Sequence, residues 1–263
     1  MTERVTIEID EHVAEVVLNR PDRHNCIDRA MFEALGEAGA NLANDASVRA
    51  VVLRGAGESF CAGLDVNMLT SDEPLVTAAM MRPLPATPAN VYQRAAYVWR
   101  EIPVPVICAV TGVAYGGGTQ IALGADLRYA HPESRWSIME IKWGLIPDLG
   151  ITTTLRHVMP IDRIKELAWT GRVVDGAEAL RLGLVTAVHD DPVDAARATA
   201  RQIADRSPDA IRAMKRLFND SWHLSEADSL ALEATLQMQV VTGRNQAEAV
   251  KANFEKRRPV FED

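Results

Sequence analysis

Pro105-Val-Ile-Cys-Ala-Val110 leads through a short connection to Gly116-Gly117-Gly118, which opens into Thr119-Gln-Ile-Ala-Leu-Gly124. The first segment has the composition of a buried strand and the last that of an apolar helix. Glycines at a strand-to-helix turn let a ligand approach the backbone, and the free N–H groups of the helix N-terminus point at negative charge. This turn is therefore predicted to bind or stabilise an anion.

The spacing of the glycines does not match two common phosphate-binding motifs. Gly112 to Gly118 does not read G-x-G-x-x-G, and Gly118 stands where a P-loop would need lysine. Without a phosphate motif, an oxyanion that develops during a reaction is the better candidate for the charge.

Strands and helices alternate along most of the chain. Apolar patterns predict strands at 5–9, 13–18, 50–53, 127–130 and 184–188 in addition to the one quoted. Asp28 is a predicted N-cap of a helix whose apolar face contains Met31, Leu35, Ala38 and Leu42. This alternation predicts an α/β architecture with parallel strand pairing.

Length and composition restrict the class of protein. The 263 residues, 48% of them hydrophobic, are enough for one substantial core or for a large domain with a small appendage. The net charge of −8 argues against nucleic acid or an anionic membrane as the main partner.

Cysteines and histidines give no sign of a metal site. The three cysteines are widely spaced and odd in number, and the six histidines lack ligand spacing. A reducing compartment fits the free thiols, and the chain shows neither a signal-peptide pattern nor a membrane-spanning apolar stretch. We expect a cytoplasmic protein without a metal.

The C-terminal third is predicted to be helical. Ser207-Pro208 reads as an N-cap followed by proline, while Asp175 with Glu178 and Ser225 with Asp228 resemble capping boxes. A helical face over 225–241 would pack on the core or on another subunit; it contains Leu230, Ala234, Met238 and Val241. Residues 70–90, with four prolines, are predicted to form an irregular segment over a pocket.

Five segments in register resemble the crotonase family of enoyl-CoA hydratases and isomerases. They are Ser59-Phe-Cys-Ala-Gly-Leu-Asp65, the triple glycine with Thr119-Gln120, Met139-Glu-Ile-Lys-Trp-Gly-Leu-Ile-Pro-Asp-Leu-Gly150, Thr170-Gly-Arg172 with Glu178-Ala179 and Gly183-Leu-Val185, and Glu255-Lys-Arg-Arg-Pro-Val-Phe261. The resemblance thus extends over nearly the whole chain.

The resemblance implies a fold and an assembly. Residues 1–200 would form a crotonase-type spiral of repeated ββα units that carries an acyl-CoA site. Residues 201–263 would form a C-terminal helical region that mediates homotrimers, which commonly stack into hexamers. Coenzyme A would be part of the substrate, and no separate cofactor is implied.

The resemblance also implies an oxyanion hole made by the backbone N–H groups of Leu64 and Gly117. These amides would hold the carbonyl oxygen of the thioester. Proton removal near a thioester, or addition to its double bond, places negative charge on that oxygen. Amides that are already oriented stabilise the enolate more than the ground state.

The acid and base groups implied by the resemblance are Glu140, Asp148 and Gln120. Family hydratases carry glutamate at both 120 and 140, whereas this chain has an amide at 120, which cannot act as a general base. Dienoyl-CoA isomerases and some acyl-CoA hydrolases carry a carboxylate at 148, and simple enoyl isomerases manage with the glutamate at 140. An N-cap or turn role for Asp148 is the alternative.

CoA contacts implied by the resemblance are assigned to Arg23, Ala62, Asp65 and Lys256, the last often reaching a neighbouring subunit's ligand. Asp65 is expected mainly to support its loop, and either cation could instead be a solvated surface charge. Trp143 is interpreted as packing, with pocket lining as the alternative. Residues 70–98 are expected to shape the acyl pocket.

These observations favour double-bond isomerisation of an enoyl or dienoyl thioester, with hydration of a 2-enoyl thioester as the close alternative. Acyl-CoA hydrolysis is a third possibility. A binding protein with little turnover is a fourth, because one family carboxylate is missing. RNA binding is not expected, since no basic surface interleaved with aromatic residues is apparent.

Overall fold

The structure of the chain, a computed structural model, describes residues 3–72 and 74–263. Nine strands lie within these residues: β1 (Val5–Asp10), β2 (Val13–Leu18), β3 (Ala50–Gly55), β4 (Val106–Val110), β5 (Val113–Tyr115), β6 (Leu127–Ala130), β7 (Arg135–Ser137), β8 (Val174–Asp175) and β9 (Ala187–Val188). Ten α-helices lie within the same ranges: α1 (Arg29–Ala43), α2 (Val91–Glu101), α3 (Gly117–Gly124), α4 (Ile151–Thr154), α5 (Ile161–Thr170), α6 (Gly176–Leu182), α7 (Pro192–Ala204), α8 (Pro208–Ser221), α9 (Glu226–Val241) and α10 (Arg244–Glu255).

The larger sheet confirms the predicted α/β class. Its six strands, counted over the described residues, have the order β1-β2-β3-β4-β6-β9. The first pair is antiparallel, with Val5 opposite Leu18, and each later pair is parallel. The parallel connections pass through helices, which is the usual way to join parallel strands.

Both faces of the sheet are covered, so its central strands are apolar throughout. On β3, Val51 and Leu53 face the main core with α1, α2 and α3, while Ala50 and Val52 face a smaller cluster with α7. This arrangement explains why β3 and β4 read as continuous apolar runs rather than as alternating ones. The predicted helix start is confirmed, because the Asp28 side chain accepts from the Met31 N–H at 2.9 Å.

A second, smaller sheet lies beside the first and helps to position the loop that follows β3. Its order is β5-β7-β8, again within the described residues. Two isolated bridges attach the loop, one between Cys61 and Ala114 of β5 and one between Ile27 and Leu64. Residues 61–64 are therefore held between the start of α1 and the strand that leads into α3.

The C-terminal region is helical as expected, and α7 runs through residue 200. This helix packs on the sheet through Ala196 and Ala200, and the turn to α8 lies at 205–207. Ser207 caps α8 by accepting from the Ala210 N–H, with Pro208 as its first residue. A division of the chain into domains at residue 200 stays a prediction.

The predicted apolar face of α9 is exposed in the single chain. Leu230 and Met238 are each 64% exposed, and the buried residue of α9 is Leu236. The prediction that this face packs on the chain's own core is therefore wrong. Packing on another subunit stays a prediction.

Two local predictions need correction. Residues 184–188 form a strand only at 187–188, because the N–H groups of Leu184 and Val185 bond to the Ala179 carbonyl behind the left-handed Gly183. The two predicted capping boxes are only half formed: Asp175 and Ser225 each accept from the expected backbone N–H, but the reciprocal bond is absent from the described residues. The complete box is at Asn90 with Gln93.

No helix of residues 3–72 and 74–263 is both long and apolar enough to cross a membrane. Within the same residues, no three His, Cys, Asp or Glu side chains are grouped as metal ligands would be.

Candidate active site

A cavity of about 270 Å³ lies where the N-terminus of α3 meets the loop after β3. It contains six of the nine residues that the sequence singled out: Ala62, Leu64, Gly117, Gln120, Glu140 and Asp148. These residues are far apart in sequence, and three of the five segments that carry the resemblance each supply part of the wall.

Two backbone N–H groups at this cavity have no hydrogen-bond acceptor among the described residues. One belongs to Leu64, whose neighbours Gly63 and Asp65 are both bonded to Ile27. The other belongs to Gly117, the first residue of α3, where helix geometry leaves the N–H without an intrahelical partner. Together they can donate hydrogen bonds to a negatively charged oxygen atom placed between them.

Glycines allow the two backbone segments to approach each other. A Cβ on Gly118 would lie 2.3 Å from the Cys61 carbonyl oxygen, and one on Gly63 would lie 2.5 Å from the Tyr115 carbonyl oxygen. Gly116 has φ +51, and its missing Cβ would lie 3.3 Å from Glu140 Oε1. The glycine run thus packs α3 against the loop and leaves space for the carboxylate.

The Glu140 carboxylate is held at one oxygen and unpartnered at the other. Its Oε1 accepts from Gln120 Nε2 at 2.6 Å, and its buried Oε2 has no hydrogen-bond partner within the described chain. A buried carboxylate oxygen without a donor is costly in a purely structural role. It is suited to receive a proton from a bound ligand.

The orientation of the Gln120 amide is fixed by its second contact. Its Oε1 accepts from the Leu149 N–H at 2.8 Å. Since a backbone N–H can only donate, the side-chain oxygen faces Leu149, and the NH₂ group must face Glu140. Gln120 therefore links Glu140 to the segment that carries Asp148.

Both carboxyl groups have pKa values above the ordinary range. Burial raises the pKa of Glu140, and the charge of Asp148 raises it further, whereas the Gln120 hydrogen bond opposes this. Desolvation by the surrounding protein also raises the pKa of Asp148, although this side chain remains accessible in the cavity. The pair can therefore hold a proton nearer to neutrality than isolated carboxyl groups.

Three predicted CoA contacts lie outside the cavity wall. Asp65 is 4% exposed, accepts from Arg20 Nη1 at 2.8 Å and caps the 3₁₀ helix Val66–Leu69 through the Asn67 N–H. The Arg23 side chain is 48% exposed, with Nη2 at 3.9 Å from Asp65 Oδ1. Lys256 is the exposed, left-handed C-cap of α10.

For Trp143 the structure supports the alternative interpretation, pocket lining, since this side chain is 47% exposed and lines the cavity. Lys142 also lines the cavity, and its Nζ lies 5.3 Å from the Trp143 ring centroid. Other cavity residues were not found by sequence reasoning. Phe32 and Ile27 line the cavity from the start of α1 and just before it. Residues Glu140–Trp143 form a single 3₁₀ turn with no buried residue. So short a turn cannot bury all its apolar side chains, which explains why Trp143 is available to line the cavity.

Comparisons with known proteins agree with this architecture. A family model described as enoyl-CoA hydratase/isomerase matches residues 8–263. The (E)-benzylidenesuccinyl-CoA hydratase of Thauera aromatica is 34% identical over 215 residues, covering 81% of this chain and 80% of that protein. The human mitochondrial Delta(3,5)-Delta(2,4)-dienoyl-CoA isomerase is 32% identical over 259 residues, covering 93% of this chain and 77% of that protein.

A solved structure gives the same result for the fold. The enoyl-CoA hydratase from Mycobacterium tuberculosis H37Rv superposes with a TM-score of 0.86 at 30% identity, covering 99% of both chains. The family model, the relatives and the solved structure all extend over most of this chain. The chain therefore belongs to the enoyl-CoA hydratase/isomerase family, and its fold is the crotonase fold.

Proposed function

We propose that this protein isomerises the double bond of an enoyl-CoA or dienoyl-CoA thioester through an enolate. Glu140 Oε2 takes a proton from a carbon of the acyl group, and the electron pair moves onto the thioester oxygen. The N–H groups of Leu64 and Gly117 stabilise that oxygen. Return of a proton to a different carbon, from Asp148 or Glu140, shifts the double bond and leaves the formula unchanged.

The observation that carries this proposal is the fixed Gln120 amide. Syn hydration in the family uses two glutamates to hold and deprotonate a water molecule, and Gln120 occupies one of those positions. Its oxygen is bonded to Leu149, and its NH₂ donates to Glu140 at 2.6 Å. A neutral amide in these contacts cannot take a proton from water.

The second carboxyl group supports the same reaction. Asp148 and Glu140 line one cavity, and the charge of Asp148 raises the pKa of Glu140. A proton shuttle between two carbons needs one group that gives and one that receives, and two carboxyl groups whose pKa values are both raised by burial meet that need. The similarity to the human dienoyl-CoA isomerase agrees with this assignment.

Hydration is the second candidate, because the Thauera and Mycobacterium relatives described above are named hydratases. In that reaction Glu140 would act on the attacking water, and Gln120 and Asp148 together would have to replace the missing second glutamate. CoA contacts at Arg23, Ala62 and Lys256 and assembly into trimers or hexamers are further parts of the proposal for either reaction.

Mass spectrometry in heavy water separates the two reactions. The protein is incubated with 2-enoyl-, 3-enoyl- and 3,5-dienoyl-CoA esters in parallel. We expect products that keep the substrate's formula, exchange deuterium and carry a shifted double bond. Products heavier by one water would establish hydration and contradict the proposal.

The variant Glu140→Gln shows whether the chemistry belongs to this site. We expect a loss of roughly a thousandfold in turnover, the range for removal of a general base, with affinity for acyl-CoA retained. A wild-type protein that binds acyl-CoA without any turnover, and is unchanged by Glu140→Gln, would instead be a binding protein.

A further inference from the structure

We propose that Phe32 closes the acyl end of the cavity and restricts the substrate to short-chain acyl-CoA esters. This inference rests on the proposed function, because it assumes that an acyl group enters this cavity. It identifies a specificity residue on α1, outside the segments that carry the acid, base and amide groups.

The position of the acyl end follows from the chemistry of the wall. The lining residues from 27–32, at the start of α1 and just before it, and from the 3₁₀ helix are all apolar; they are Ile27, Phe32, Val66 and Leu69. The carboxyl groups and the amide of Gln120 come from other segments. An acyl chain gains free energy where only apolar side chains surround it, so the chain is expected to extend towards Phe32.

Phe32 is a fixed wall because a second aromatic ring stands behind it. Its side chain is 5% exposed, and its ring meets that of Tyr92 edge-on, with centroids 5.0 Å apart and an interplanar angle of 80°. Such an edge-to-face pair is favourable beyond the area that the two rings bury. Rotation of Phe32 out of the cavity would require Tyr92 to move as well.

Tyr92 is itself held by the irregular segment that the sequence placed over the pocket. The Tyr92 hydroxyl donates to the Leu75 carbonyl oxygen at 2.6 Å and lies 3.3 Å from Met80 Sδ. Arg29, one helical turn before Phe32, donates to the Pro74 carbonyl oxygen at 2.7 Å. The segment therefore supports the wall from behind, and none of the residues from 70 to 90 lines the cavity within the described part.

The size of the cavity sets the length of chain that fits. The cavity has a volume of about 270 Å³, just below the roughly 300–1,000 Å³ of sites that enclose drug-sized ligands. The thioester group occupies part of that space. The remainder accommodates a short acyl chain, and a chain of medium length would have to displace Phe32.

The test measures affinity for saturated acyl-CoA esters, which bind without reacting. Calorimetry compares butanoyl-CoA with octanoyl-CoA on the full-length wild type, Phe32→Ala and Phe32→Leu. We expect wild type to bind octanoyl-CoA more weakly than butanoyl-CoA. Phe32→Ala should bind octanoyl-CoA about tenfold more tightly than wild type, because each newly buried methylene is worth roughly fourfold in affinity.

Leu35→Ala is the matched control. Leu35 lies one turn further along α1, is fully buried and does not line the cavity, so its truncation should leave the ratio of the two affinities unchanged. Phe32→Leu keeps most of the packing volume, and it provides the comparison if Phe32→Ala fails to fold; it should shift the ratio in the same direction by a smaller factor.

The outcomes separate this inference from the proposed function. Equal affinities for both esters in wild type, or an unchanged ratio in the folded Phe32 variants, would overturn the role of Phe32 and leave the enolate chemistry standing. Failure of every acyl-CoA ester to bind would overturn the proposed function together with this inference.

Discussion

At the scale of single residues, the site is organised around one carboxylate. Gln120 holds Oε1 of Glu140, and Oε2 stays buried without a partner. The nearby Asp148 supplies a charge that raises the pKa of Glu140. These contacts predict how the pH dependence of the reaction should respond when either neighbour is changed.

Asp148→Asn should move the acidic limb of the pH profile to lower pH. Glu140 acts as a base only when ionised, so activity falls as the pH drops through its raised pKa. Burial raises the pKa of Glu140 most, and the charge of Asp148 adds to it, so removing that charge should make ionisation of Glu140 easier and lower its pKa. The position of the acidic limb is read from a plot of kcat/KM against pH, with the reaction followed as deuterium exchange into the substrate. A limb that stays in place or moves to higher pH would contradict the coupling.

Gln120→Glu should move the same limb in the opposite direction. A carboxylate at this position loses the N–H donor to Glu140 Oε1 and adds a like charge at close range, so the pair would share a proton and its apparent pKa would rise. Gln202→Glu, on the exposed side of α7, adds the same charge far from the cavity and is the control. A downward shift, or equal shifts in both variants, would show that Gln120 does not set the ionisation of Glu140.

At the scale of secondary structure, the oxyanion amides depend on the close packing of α3 against the loop after β3. Gly118→Ala would place a methyl group 2.3 Å from the Cys61 carbonyl oxygen, so α3 and the loop must separate. We expect a loss of about 1–3 kcal/mol in the free energy of unfolding from overpacking. Separation of the Leu64 and Gly117 amides should lower turnover roughly a hundredfold.

Chemical denaturation and turnover measurements on the same Gly118→Ala sample check both effects. Gly36→Ala on α1 is the control, because its nearest neighbours are atoms of the flexible Arg94 side chain at 3.4 Å and beyond. That variant should keep full turnover and be equally or more stable, since alanine favours helix over glycine. Full turnover in Gly118→Ala would mean that the contact does not position the amides.

The sequence predicted elements whose signals are local and missed those that depend on distant pairing. The runs at β2, β3 and β4 and the N-cap at Asp28 were found, because burial and capping leave a pattern within a few residues. Strands β5 and β7 have three residues each and exist through pairing with each other across the chain. Three residues are too few to show a period, so no local pattern could predict them.

The candidate site shows the same division. Glu140, Asp148, Gln120 and the two backbone amides were predicted from motif positions, and the structure places them at one cavity. The wall residue Phe32 was not predicted, because an apolar residue on α1 looks the same whether it faces the core or a cavity. Only its three-dimensional position in the wall of the cavity distinguishes the two.

At the scale of the whole molecule, cationic side chains attach the C-terminal helices to the rest of the fold. Lys215 of α8 is 8% exposed and donates to the carbonyl oxygens of Trp99 and Val104 and to Asp126 Oδ2, at 3.0, 2.9 and 2.8 Å. In a second cluster, Arg197 of α7 and Arg54 of β3 both bind the carboxylate of Glu15 on β2. These contacts hold the C-terminal helices in register with the core that carries the site.

The Glu15 cluster predicts how the stability of the whole fold depends on pH. The hydrogen bond from Arg197 lowers the pKa of Glu15 most, with Arg54 acting in the same direction, and the value falls from an ordinary 4.5 to about 2. A carboxyl group whose pKa is lower in the folded state stabilises the fold above its unfolded pKa. That contribution is lost as the pH falls through the folded pKa, between about 4.5 and about 2.

Glu15→Gln should therefore destabilise the protein above pH 5 and cease to do so near pH 2, measured as the difference in Tm from wild type across that range. The control is Glu8→Gln, because Glu8 stands opposite Glu15 on β1, is exposed and has no ion pair among the described residues. It should change Tm little at any pH, since surface charges of this kind contribute under about 1 kcal/mol. If the Tm difference between Glu15→Gln and wild type stayed constant from pH 7 to pH 2, the destabilisation would come from altered packing. The ionised carboxylate of Glu15 would then not be what joins α7 to the sheet.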